Sequence, residues 1–274
     1  MIEGLPIPLE RPAYLMRSRR ELTMFFVIAY GFSWPVFLGM ALFHAPLQYT
    51  ILATLGPSVA ALIVHRRRSG NYRAFRIFTT WQRTLATSGI GAALVVLTYV
   101  VLPGLVLADP HKLNWSILSS TSVYNYSTLL GGPLGEEPGW RGYALPRLEA
   151  SLGPVRGSLL LGLLWAGWHL PLFLIPSWTS TPVWTYALIM IGLALIMSYG
   201  ANLARFAVIP CIAMHAAFNT VSRFLAGLFA NTQPDVTIPP ELVLALCGLA
   251  IGMVLVAITK GRLGFHQDQA PRDA

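Results

Sequence analysis

Apolar runs alternate with short polar connections along the whole chain. Eight runs of about 17 to 24 residues occur, at about 22–43, 48–64, 86–107, 123–145, 158–175, 183–203, 206–229 and 242–259, and about 20 apolar residues in a helix cross a bilayer core. The pattern predicts an all-α polytopic membrane protein with about eight transmembrane helices. The fourth run is the least apolar, because it holds a cluster of glycines and the stretch GEEPGWRG at 135–142.

Composition agrees with the pattern. Of 274 residues, 55% are hydrophobic and 11% charged, against about 25% charged in a soluble domain, and the mean hydropathy is +0.59. The expected organisation is a cytoplasmic segment 1–21, one membrane domain over 22–259 and a cytoplasmic tail 260–274. The first run is long enough to span and follows many polar residues, so it is not read as a cleavable signal.

The net charge of +8 does not point to nucleic acid, because the basic residues cluster at the edges of apolar runs. Sixteen of the nineteen fall on one side of the membrane: Arg11, Arg17, Arg19 and Arg20; Arg66, Arg67, Arg68, Arg73, Arg76 and Arg83; Arg147 and Arg156; Arg205; Lys260, Arg262 and Arg272. The other side has Lys112 and Arg223, and Arg141 lies within the fourth run. The positive-inside rule then makes both termini cytoplasmic, in agreement with an even number of spans, and the expected location is the plasma membrane. Segment 65–85 also holds Tyr72, Phe75, Phe78 and Trp81; it reads either as a strap along the membrane surface or as a solvated loop. Cys211 and Cys247 lie in apolar runs without CxxC spacing and are not expected to pair.

Ionisable groups deep in the runs are few. Of the acids only Glu136 and Glu137 qualify, and of the histidines only His169 and His215. Counted from the expected cytoplasmic ends, Glu136, His169 and His215 lie roughly 14, 17 and 14 Å deep. Intramembrane charge is costly and marks function by default. Glu137 and Arg141 are i, i+4 and can pair on one face, as can His215 with Asn219 and Trp165 with His169. Adjacent helical residues point about 100° apart, so the two acids have different tasks. Glu137 is read as the partner of Arg141. Glu136 has Trp140 at i+4, hence no ion-pair partner there, and is free to face His169 and His215. Pro138 and Gly139 interrupt the helix just after the acids.

Each of these groups alone is compatible with helix–helix bonding. Together, on three helices at one level, they fit a site that activates water. Peptide hydrolysis needs a base for water, donors for the oxyanion and a proton for the leaving amine. A buried Glu, two His and an Asn can supply these. One Glu and two His also match a catalytic zinc set.

The motifs EEPGWRG, WAGWHLPLF (165–173) and HAAFN (215–219) resemble those of the CPBP family, the intramembrane proteases related to type II CAAX prenyl endopeptidases and to bacteriocin-processing and immunity proteins. The likeness covers roughly 119 to 225. It implies eight helices around a cavity open to the cytoplasmic leaflet. It implies that Glu136 activates water with His169, that His215 and Asn219 stabilise the oxyanion, and that Glu137 and Arg141 support the site. Pro138-Gly139 departs from the bulky apolar residues that many members carry there. No metal is the favoured expectation, with Zn2+ on Glu136, His169 and His215 as the alternative. The expected partners are the lipid bilayer and a peptide or protein substrate, lipidated or not. Two other functions compete: a non-proteolytic scaffold or immunity protein of the same family, and a cation- or proton-coupled transporter. No HExxH, GxGD or GxSxG motif occurs, which sets aside other membrane protease classes.

Overall fold

A computed structural model of the chain describes residues 11–107, 116, 131–228, 238–266 and 268, without the side chains of 11–18, 221–223, 225, 226 and 228. Lys112, residues 123–130 of the expected fourth span and the side chain of Arg223 lie outside this set.

The protein is all-α. Helix α1 (Arg11–Leu42) leads through a short α2 (Thr50–Thr54) into α3 (Gly56–Ser69). Helix α4 (Trp81–Val96) continues through a π-helical turn, Leu97–Val101, into α5 (Leu102–Leu107). Helix α6 (Pro133–Gly139) passes through a second π-helical turn, Trp140–Ala144, into α7 (Leu145–Leu152). Then come α8 (Pro154–Trp168), a 3-10 turn Leu170–Leu174, α9 (Val183–Leu203), α10 (Val208–Leu228) and α11 (Pro240–Ile258). Among the described residues six helical stretches are long and apolar enough to cross a membrane: 19–42, 47–69, 81–107, 154–174, 183–203 and 240–258. A seventh apolar stretch, Val208–Thr220, is shorter.

Small residues let these helices approach closely, as membrane helices need in the absence of a strong hydrophobic drive between them. Gly192 of α9 lies against the backbone of Gly248 and Leu249 on α11, and Gly162 of α8 against Ile191. Ser33 of α1 donates to the Ala53 carbonyl at 2.7 Å. Gly91 and Gly200 both face the buried Met214, which fits α10 between α4 and α9.

One end of the bundle carries the basic connections, around 69–80, 152–154, 203–208 and 259–266. There, residues 71–80 turn back onto the protein. Val208 and Ile209 N–H donate to the carbonyls of Arg76 and Ile77 at 2.9 and 3.1 Å. Ala74 is buried and Phe75 packs on Gly142, while Tyr72, Phe78 and Trp81 stay exposed. Asn202 Nδ2 ties the C-terminal turn to this end, donating to the Leu263 carbonyl (3.0 Å) and to Glu149 Oε1 (3.2 Å). The opposite end holds residues 43–49, 131–132, 175–182 and 238–239.

The expected loop 146–157 is a correction. The helix through the fourth run continues to Leu152, because nothing breaks it before Gly153, which takes φ +82°. Pro146 sits in the first turn of α7, where a missing N–H is tolerated. Arg147 is therefore a buried helical residue; it stacks 3.8 Å over the Tyr143 ring and donates to the Tyr143 carbonyl at 3.0 Å. The added turns also move the site's depth. Glu136 lies sixteen residues from Leu152, and His169 fifteen from Pro154, about 24 and 22 Å of helix. The site thus lies in the half of the bundle away from the basic end.

Candidate active site

The acids sit where α6 begins. Pro133 opens the helix after Gly132, and Glu136 falls in the first turn, where free N–H groups favour a carboxylate. Gly135 and Gly139 bring this turn against α2 and α3. A Cβ on Gly135 would lie 2.6 Å from the Thr54 carbonyl oxygen, and one on Gly139 2.3 Å from Pro57 C. The close approach explains why the chain has Pro-Gly here instead of bulky residues. Ser58 Oγ adds a 2.6 Å bond to the Gly135 carbonyl.

Glu136 is held by two tryptophans. Its Oε2 accepts from Trp165 Nε1 at 2.7 Å and from Trp140 Nε1 at 3.3 Å. Trp140 at i+4 offers Glu136 no ion pair, as expected, but it does donate an indole hydrogen bond to it. The second oxygen, Oε1, makes no hydrogen bond among the described residues. Oε1 lies 3.1 Å, and His215 Nε2 3.4 Å, from the point where a Cβ on Gly132 would stand.

Glu137 is fully buried. Its Oε1 accepts from Arg141 Nη1 at 2.9 Å, the expected i, i+4 pair, and also from His215 Nδ1 at 2.7 Å. The second contact was not expected: His215 faces Glu137 with one edge. The Arg141 guanidinium lies 4.0 Å over the Trp165 ring, so α6 and α8 share one charged contact.

His169 ends α8. Pro171 has no N–H for the Gly167 carbonyl, so the α-helix stops and a 3-10 turn follows. His169 Nδ1 donates to the Trp165 carbonyl at 2.7 Å; a carbonyl only accepts, so the proton of the neutral ring is on Nδ1. Its ring stacks on Trp178 (centroids 5.9 Å apart, 16° between planes) and meets Tyr186 edge-on at 5.4 Å. His215 is fixed the same way by Glu137. Both imidazoles leave Nε2 without a hydrogen bond among the described residues.

Glu136, Trp165, His169, His215 and Asn219 all line one cavity of about 1080 Å³. Glu137 and Arg141 do not line it; they sit behind His215 and Trp165. The structure therefore gathers the four residues expected to act directly and sets the two supporting residues one layer back. It adds Trp165, Trp140, Trp178 and Tyr186. Trp165 was readable as the i−4 neighbour of His169, but nothing in the sequence pairs an indole with Glu136.

The cavity is also lined by Leu47, Gln48, Leu107, Ser180, Thr181 and Glu241. These belong to the end of the bundle opposite the basic connections. Expected cytoplasmic termini and an expected cytoplasm-facing cavity would share one face of the membrane; in this fold the end of α11 lies at the opposite end of the bundle from the cavity mouth.

The alternative zinc set does not assemble. Among the described residues no three His, Cys, Asp or Glu side chains gather as a metal-holding group. One oxygen of Glu136 is already occupied by two indole N–H groups.

Residues 117–221 match the family model described as Type II CAAX prenyl endopeptidase Rce1-like. The CAAX prenyl protease 2 of Methanococcus maripaludis is 29% identical over 94 residues, which cover 31% of this chain and 35% of that relative. The match thus spans about a third of the relative's length. The family-model match at 117–221 includes all three motifs that build the cavity wall. Over residues 117–221, then, this chain is similar to the Rce1-like type II CAAX prenyl endopeptidases.

Proposed function

We propose that the chain is an intramembrane endopeptidase that hydrolyses a peptide bond of a membrane-associated protein or peptide without a metal. The observation that carries this reading is Glu136, with Oε2 fixed by two N–H donors and Oε1 uncommitted, in a cavity shared with His169, His215 and Asn219.

A water beside Glu136 gives one proton to Oε1 as its oxygen attacks the peptide carbonyl carbon. His169 Nε2, with its lone pair free, accepts the second water hydrogen and aims the nucleophile. The carbonyl oxygen becomes an oxyanion. Asn219 Nδ2 donates to it, and so does Nε2–H of His215, whose other edge is held by the Glu137 carboxylate. Collapse breaks the C–N bond, and protonated Glu136 returns its proton to the departing amine. Arg141 balances the charge of Glu137 and fixes Trp165 from behind.

The match to a CAAX prenyl protease supports proteolysis in general, and the apolar, aromatic cavity wall suits a substrate at the membrane. The test uses purified protein in liposomes mixed with a solubilised membrane protein fraction, with new N-termini labelled and counted. Wild type generates a specific set that Glu136→Gln does not. The same set from both proteins would overturn the reading.

A further inference from the structure

We infer that the cavity is loaded from the extracytoplasmic face of the membrane. Its substrate is then a peptide segment displayed at the outer leaflet, supplied by translocation or membrane insertion before cleavage. This rests on the hydrolytic reading for the word substrate, but its geometry stands apart from it.

The mouth is defined by position in the fold. Leu47 and Gln48 follow the end of α1, Leu107 ends α5, Ser180 and Thr181 join α8 to α9, and Glu241 opens α11. Helices α1, α5 and the turn after α8 all finish at this end, and α9 and α11 start from it. The other ends of these rods carry the basic connections.

The charge asymmetry orients the bundle. Arg66, Arg67, Arg68, Arg73 and Arg76 flank the end of α3, Arg156 opens α8, Arg205 follows α9, and Lys260 and Arg262 follow α11. At the mouth end, residues 43–49, 175–182 and 238–239 contain no Lys or Arg. Short connections rich in Lys and Arg stay cytoplasmic. The basic end is thus cytoplasmic, and the mouth opens outward.

The lining fits a peptide entering from that side. Gln48, Thr179, Ser180 and Thr181 offer hydrogen bonds at the mouth for backbone groups, while Phe37, Trp178 and Tyr186 supply an apolar wall further in. A volume of about 1080 Å³ is at the upper end for pockets that enclose small ligands, and gives room for several residues of extended chain.

The test labels full-length protein in cells with a membrane-impermeant maleimide. Ser180→Cys and Ser69→Cys both place a thiol at an exposed position. Cys211 and Cys247 are kept, and the parent chain gives the background. Ser180→Cys is labelled in intact cells, and Ser69→Cys only after permeabilisation. The reverse pattern would overturn the inference and leave the hydrolytic reading intact. Loss of that reading is seen separately, as unchanged cleavage by Glu136→Gln, which leaves the labelling pattern as it is. In a second arm, labelling Ser180→Cys from outside with a bulky impermeant maleimide lowers the yield of Glu136-dependent new N-termini. Full yield with complete labelling would also count against outside loading.

Discussion

His215 on α10 donates from Nδ1 to Glu137 Oε1 on α6 at 2.7 Å, across 78 positions of chain. The same oxygen accepts from Arg141, so one carboxylate both orients an imidazole and neutralises a buried guanidinium. A carboxylate behind a histidine fixes the orientation of its ring.

Glu137→Gln keeps the shape but replaces the carboxylate that holds both His215 Nδ1 and Arg141. Turnover falls by about 100-fold or more, and the protein loses about 3–5 kcal/mol of stability because Arg141 is left unpaired. Arg141→Ala keeps the Glu137–His215 contact, so it costs stability with a smaller loss of kcat. Melting in detergent and steady-state kinetics separate the two effects. A larger kcat loss for Arg141→Ala than for Glu137→Gln would contradict this division.

Trp165→Phe keeps a ring under Arg141 but removes the stronger donor to Glu136. A hydrogen bond to a charged group is worth about 1.5–3 kcal/mol, so kcat drops roughly 10- to 150-fold. Trp140→Phe, which removes the longer bond of 3.3 Å, has the smaller effect. Equal kcat for wild type and Trp165→Phe would show that the indole does not hold the base.

Gly139→Ala drives a methyl group into the Pro57 backbone and costs about 1–3 kcal/mol, as overpacking does. Gly89→Ala is the control; its Cβ would meet nothing within 4 Å, and it leaves stability unchanged or raises it by up to about 1 kcal/mol. Thermal melting of both variants in one detergent checks the pair.

On the proposed mechanism, exhaustive chelation leaves turnover unchanged, because the base and oxyanion-donor roles assigned to Glu136 and Asn219 need no metal. Elemental analysis run beside the assay gives the contrary result if one zinc per active chain is lost together with activity.

Much of the site was legible in the sequence. Charges inside apolar runs are conspicuous, and i, i+4 spacing correctly paired Glu137 with Arg141. The same rule is blind to contacts between helices, so it left His215 to Glu136 and missed the bond to Glu137. It also treated Trp140 as a non-partner, since it looked for opposite charge and not for an indole N–H. The depth estimates erred because the helix end was set by hydropathy. The helix ends instead at Gly153, the first residue after the motif with a positive φ, and carries a buried Arg147 on its last turns. Charge counting sorts the connections between two ends of the bundle, but the end at which the cavity opens depends on helix packing. Hydropathy gave runs close to all six long spans, apart from shifts of up to about five residues at their ends.

The most direct measurement compares membrane peptides in cells that carry wild-type protein with those that carry Glu136→Gln. The amide keeps an oxygen for Trp165 Nε1 but cannot take a proton from water, so yield and melting temperature stay at the wild-type level. The account predicts that a defined set of membrane-associated peptides accumulates uncut in the Glu136→Gln cells. An unchanged peptide set would contradict it.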